Sequence, residues 1–176
     1  RMSTTKVVTG MVRFSYCHVF EPSAIGDSTE KKYSVSLIIP KKDTITIGKI
    51  KAAVKLALEE GKAKFGGKIP SNWKNPLRDG DEDRPDDEAY KNAFFINCNS
   101  KRRPGIVDAD RNEILEAEEF YSGCYGRASV NFYAFNFNGT KGVAAGLQNL
   151  QKLADGDKLG GGASSPEDDF SDDDLL

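Results

Sequence analysis

Apolar and polar positions alternate along most of this chain, and the alternation gives way only once to a helical period. Residues 5–20, TKVVTGMVRFSYCHVF, are rich in β-branched and aromatic side chains and predict one long strand, with Gly10 as a bulge or bend inside it. Val8, Val12, Phe14 and Tyr16 share one face of that strand; Met11, Arg13, Ser15 and Cys17 share the other. A turn-rich loop over 21–32 leads to a second strand over 33–39, in which Val35, Leu37 and Ile39 face the core before Pro40 ends it. The helix follows. Asp43 or Thr44 caps it, and Ile47, Ile50, Val54, Ala57 and Leu58 form an apolar stripe opposite Lys49, Lys51, Lys55 and Lys62. Gly61 and Gly66-Gly67 close the segment. Residues 68–92 hold no sustained period, only turn residues, Trp73 and a dense acidic run; loops of that length are functional or disordered.

Strand character returns at 93–100, is interrupted by Lys101-Arg102-Arg103-Pro104, and resumes at 105–108. After an acidic stretch comes the longest strand candidate, 123–137, whose Asn138-Gly139 is a strong hairpin signal with 142–147 as the return strand. There are no internal repeats. The pattern predicts a mainly β fold: an OB-type, five-stranded Greek-key barrel with one middle α-helix, long loops and a disordered acidic C-terminal tail. Residues 1–159 form the expected domain and 160–176 a Gly/Ser linker and tail.

Composition narrows the class. A chain of 176 residues, 38% hydrophobic, supports one domain with a real core. No stretch approaches 18 uninterrupted apolar residues, and no apolar h-region opens the chain, so neither a spanning helix nor secretion is expected. Cys17, Cys98 and Cys124 are odd in number and far apart, which favours reduced thiols over a disulfide framework. Charge is the first functional clue. Residues 160–176 carry six acids and no base, so residues 1–159 hold 25 bases against 21 acids. A second cluster over 79–88 has seven acids and one arginine, leaving the remainder strongly basic.

The hairpin strand carries the sharpest chemistry. Gly126, Ala128, Val130, Phe132 and Ala134 suit a core face, whereas Arg127, Ser129, Asn131, Tyr133, Phe135 and Phe137 mix a base, amides and hydroxyls with three aromatics. That mixture suits a surface where bases stack on rings while cations meet phosphates; alternatively, Tyr133, Phe135 and Phe137 cover a second small core under the long loop. Arg13, Lys91, Lys101, Arg102, Arg103 and Lys141 supply phosphate contacts, and Trp73 either stacks on a base or anchors its loop. Phe170, Asp172, Asp173, Asp174, Leu175 and Leu176 form a tail able to dock on a partner or to lie across the protein's own cationic groove. Other motifs fail. The 61–69 segment has Gly67 where a phosphate loop needs Lys, and Asp79, Asp81 and Asp83 lack the Gly and Glu of a calcium loop. Cys17 and His18 are adjacent, hence on opposite faces of a strand, and no CxxC accompanies them, so no metal or other cofactor is expected. Two further readings stay open: a metal-dependent nuclease using the 79–88 acids, and an interaction adaptor that binds no DNA.

Pro76-Leu77-Arg78-Asp79-Gly80-Asp81, Gly146-Leu147-Gln148-Asn149 with Leu150-Gln151-Lys152, Asp155-Gly156-Asp157 and Leu159-Gly160-Gly161 follow one another along the chain. In that order they resemble the tailed-phage single-stranded DNA-binding proteins, once catalogued as a domain of unknown function. The resemblance spans roughly residues 5–162. It implies an OB fold, binding of single-stranded DNA without sequence specificity during phage replication or recombination in the bacterial host's cytoplasm, and no catalysis. It also makes the acidic tail similar to those that recruit replication partners, although two leucines stand here in place of a Pro-Phe ending. Weaker duplex binding and self-association on DNA accompany that expectation; a membrane partner does not.

Overall fold

A computed structural model describes residues 4–26 and 29–160; the 161–176 segment, with Phe170, Asp172, Asp173, Asp174, Leu175 and Leu176, lies outside the described residues. Five long strands build the fold: β2 (Val12–Ala24), β3 (Lys31–Pro40), β5 (Ala93–Ser100), β7 (Tyr125–Phe137) and β8 (Thr140–Ala154). They close in the order β7-β2-β3-β5-β8, with β8 pairing back onto β7. All these pairings are antiparallel except β5 with β8. The β2–β7 and β5–β8 pairings cover only two residues each, so the barrel is partly open. Short strands β1 (Lys6–Val8), β4 (Arg78–Asp79) and β6 (Gly105–Val107) extend it against β7, β5 and β8.

The core follows the alternation. Val12 and Phe14 on β2, Val35, Leu37 and Ile39 on β3, Ile96 and Cys98 on β5, and Val130, Phe132 and Ala134 on β7 are all buried. Helix α1 (Thr44–Glu60) starts where Asp43 Oδ1 accepts from the Thr46 N–H at 3.0 Å and buries Ile47, Ile50, Ala53, Val54, Ala57 and Leu58. It packs against β1, β7 and β8. The turn after β7 places Asn138 at φ 50° and Gly139 at φ 83°, the left-handed pair that a two-residue hairpin of this twist requires.

Two expectations change. The strand over 5–20 is split: the chain breaks at Gly10, whose N–H donates to Thr46 Oγ1 at 2.9 Å and whose site has no room for a Cβ beside Asp43. Within β2 a bulge between Ser15 and His18 then throws Tyr16 outward at φ 50°, so it leaves the face it would share with Val12 and Phe14. The loop over 68–92 is also not featureless. It folds into β4, a one-turn helix α2 (Gly80–Asp83) and a 3-10 turn at Glu88–Tyr90. Tyr90 from this loop is buried with Ile38, Ala93 and Phe95 on the outer side of the sheet. A second small core under the long loop therefore exists, but Tyr133 and Phe137 are exposed and take no part in it.

Candidate nucleic-acid interface

The outer face of the barrel is where alternation leaves polar side chains. Register places His18 on β2, Ser34 on β3, Asn99 on β5, Gly146 on β8 and Asn131 on β7 side by side, one row crossing five strands. Every member is exposed or half-buried, while Val35 and Cys98, one residue along the same strands, are buried. Tyr133 lies beside this row. Its ring covers Gly146, where an added Cβ would sit 3.4 Å from Cε1, and 42% of its surface stays open to solvent. Glycine at this position lets the ring approach the neighbouring strand closely while one part of it stays open for stacking.

Lys101, Arg102 and Arg103 are exposed in the turn that continues from Asn99 and Ser100. Lys101 Nζ pairs with Glu30 at 3.1 Å, and the Arg103 guanidinium sits 5.5 Å from the centre of the Phe20 ring. The structure thus joins Tyr133, the polar row and the basic turn into one surface. Trp73, Phe135, Phe137 and Lys141 gather at the hairpin end instead. Lys74 is bridged to Gly142, the residue opposite Phe135, and this strap leaves Trp73 half-buried against the main core. Phe137 is 71% exposed near the hairpin tip.

Three predicted contacts sit apart from both groups. Arg13 donates from Nε to the Gly123 carbonyl at 3.0 Å and from a terminal nitrogen to the Asp157 carbonyl at 2.7 Å, tying the 155–160 strap to β2. Arg127 donates to the Thr9 carbonyl at 3.2 Å and lies six residues from Tyr133 along β7, about 20 Å away. Lys91 is exposed at the far end of the long loop.

Four of the seven acids of that loop have partners. Lys41 Nζ lies 2.9 Å from Asp79 and 2.8 Å from Asp81, and Arg78 pairs with Asp83 at 3.0 Å. Asp79, Asp81 and Asp87 also accept backbone N–H groups of Asp81, Asn92 and Ala89. The hydrogen bonds from Lys41 hold both carboxyls below the usual carboxylate range and push the lysine up. Among the described residues, no cluster of His, Cys, Asp or Glu is arranged to hold a metal ion. Burial pushes the Cys17 thiol up to about 12 and raises Cys98 and Cys124 as well, so all three stay protonated at neutral pH.

Sequence reasoning passed over Arg84, Tyr16, Asn97 and Asn99. Arg84 follows the acidic helix and lies among three rings, 5.2 Å from Tyr16, 4.9 Å from Tyr90 and 5.0 Å from Phe95. With Tyr16, Ser34, Asn97 and Asn99 it lines a cavity of about 200 Å³ next to the polar row. A readable signal existed for the amides: Asn97 and Asn99 alternate with buried Ile96 and Cys98. None existed for Arg84, which has no periodic pattern around it and whose ring partners include the distant Tyr16.

The profile built on the single-stranded DNA-binding protein of Enterobacter phage Enc34 matches residues 5–176. Protein p50 of Acyrthosiphon pisum secondary endosymbiont phage 1 is 33% identical over 177 residues, covering 95% of this chain and 93% of its own. The Enc34 single-stranded DNA-binding protein, solved in complex with single-stranded DNA, superposes with a TM-score of 0.79 at 27% identity, covering 89% of this chain and 90% of that one. Bacteriophage T7 gp2.5, a single-stranded DNA-binding protein, shares the fold with a TM-score of 0.62 at 14% identity, over 95% of each chain.

Proposed function

The chain belongs to the Enc34 phage single-stranded DNA-binding protein family, and on that premise we propose that it coats single-stranded DNA without sequence specificity along the outer face of its barrel. The observation that carries this reading is the row of His18, Ser34, Asn99, Gly146 and Asn131 with Tyr133 lying open beside it. A polar row gives a strand's bases hydrogen-bonding partners of no fixed pattern, the ring gives a stacking surface, and Lys101, Arg102 and Arg103 meet phosphates at its edge. The protein performs no catalysis in this reading and acts in phage replication or recombination within the host cytoplasm.

The acidic tail has a separate part. Its six acids and terminal leucines recruit replication or recombination proteins, and the same charge competes with DNA for the basic surface. Removing residues 164–176 then strengthens binding most at low salt, where screening is weakest, and brings up duplex binding through phosphate contacts.

Fluorescence anisotropy of labelled oligo-dT and a matched duplex, titrated with the full chain at several salt concentrations, tests the reading. Tight, salt-sensitive binding that favours the single strand is expected. Absence of binding at low salt would overturn it and turn attention to the tail's protein partners.

A further inference from the structure

Arg84 is the one base in a run of seven acids, yet none of them among the described residues pairs with it. Lys41 and Arg78 take Asp79, Asp81 and Asp83, and Arg84 Nε is buried without a hydrogen-bond partner. The side chain is otherwise half-buried, and an N–H shut from water normally finds a carboxylate or a carbonyl, because an unpaired buried donor is costly. Here ring faces of Tyr16, Tyr90 and Phe95 surround it instead. They attract the cation without consuming its N–H donors, so its hydrogen-bonding capacity is held in place and unspent.

Tyr16 adds a second, independent sign. It is a non-glycine residue at φ 50°, a strained conformation that persists only where the surroundings enforce it. The bulge is enforced by the Cys17 N–H donating to Ser122 Oγ at 3.1 Å, and its result is a tyrosine ring 53% exposed at the mouth of the cavity. Below that ring the cavity of about 200 Å³ presents the hydroxyl of Ser34 and the amides of Asn97 and Asn99. That volume equals about six or seven waters, room for one planar heterocycle.

We propose that this cavity is a subsite for one nucleotide of the bound strand: Arg84 takes the phosphate, Tyr16 stacks on the base, and Asn97 and Asn99 bond the base edge. The proposal rests on the single-stranded DNA reading above and deepens it. Arg84, supplied by the long acidic loop, makes that loop part of the binding surface: the neighbouring carboxylates hold the loop on the sheet while the arginine faces the strand. A thymine or cytosine edge and a purine edge can all be served by amides, which offer donors and acceptors alike, so the subsite needs no base preference.

The test compares the full chain with Arg84→Met, Tyr16→Asn and Asn97→Asp by oligo-dT anisotropy over a salt series, with thermal melting of each. Arg84→Met keeps an apolar stem among the rings; it should weaken binding roughly tenfold to a hundredfold and flatten the log–log salt slope by about 0.7, the signature of one lost phosphate contact on a single strand. Tyr16→Asn should weaken binding with no fall in melting temperature, because asparagine tolerates a left-handed backbone. Asn97→Asp, an exposed change, should lose affinity through repulsion of the strand. Wild-type affinity and slope in a folded Arg84→Met protein would reduce Arg84 to a clamp for the loop and overturn the proposal. If Arg84→Met does not fold, unchanged affinity in both Tyr16→Asn and Asn97→Asp overturns it equally. A wild-type chain that ignores oligo-dT removes the broader reading first, before any substitution is made.

Discussion

The outer face of the barrel has a covered half and an open half, built on the same strands. In the covered half, Arg13, Ile38 and Phe95 stand side by side on β2, β3 and β5, and the loop carrying Tyr90 lies over the two apolar members. Four or five residues away along those strands, the row through His18, Ser34 and Asn99 is left bare. The difference lies in the side chains. Ile38 and Phe95 need covering and recruit a tyrosine whose hydroxyl is satisfied by Ser36 Oγ at 2.9 Å; amides and hydroxyls need no cover. The long loop therefore acts as an end wall, and the cavity beneath Arg84 marks where wall meets open surface.

The sharpest way to break this contrast is Tyr90→Ala. Tyr90 is fully buried, meets Phe95 edge-on with ring centres 5.1 Å apart and bonds Ser36, so its loss should cost about 3–5 kcal/mol in urea unfolding. A cost under about 1 kcal/mol would mean that the loop is a loose flap and not a wall. Tyr133→Ala, in the open half, should behave oppositely. Stability should move by no more than about 0.5 kcal/mol, while oligo-dT affinity falls by about 1–3 kcal/mol. Unchanged affinity in the folded variant would remove Tyr133 from the surface. Arg102→Ala should lower affinity modestly and evenly across sequences and reduce the salt slope by about 0.7; an unaltered slope would place the strand elsewhere.

The smallest effect belongs to Lys41→Met, which unpins the wall from the strand end. Asp79 and Asp81 are held below their ordinary range by Lys41, so their contribution is present above the unfolded carboxylate pKa and disappears as pH falls through the lowered folded values. Lys41 is itself raised, so its contribution fades only as pH climbs through that raised value. The melting-temperature gap between wild type and Lys41→Met should thus be widest near neutrality and close in acid. A gap that is constant down to strongly acid pH would assign the lysine's effect to packing.

Local pattern was enough for much of the architecture. The α1 stripe and its Asp43 cap, the Val35-Leu37-Ile39 face, the 93–100 strand and the Asn138-Gly139 turn all emerge where they are expected, because each depends on residues within a few positions of one another. The same holds for the two faces of β7, whose small and apolar members are buried and whose Tyr133 is exposed. Tyr16 shows the limit. Strict alternation assigns it to the core with Phe14, and a single inserted residue in the β2–β3 register reverses that assignment. Trp73 shows it too, since its strap is held by backbone pairing of Lys74 with residues 141–143, far off in sequence.

The sequence by itself determined that this chain makes a small barrel of alternating strands with one capped helix, and that one strand displays aromatics and amides together, because period, capping and turn chemistry are local. Only the tertiary structure decided which side chains share a surface. Arg84 reads as one base dissolved in an acidic run until folding brings three rings from β2, the long loop and β5 around it. Lys41, Arg78 and several backbone N–H groups do the same for the acids, claiming carboxylates that along the chain look like a free cluster. Charge along a chain counts residues; the potential at a site depends on which of them have already been neutralised by a neighbour, and that is settled through space.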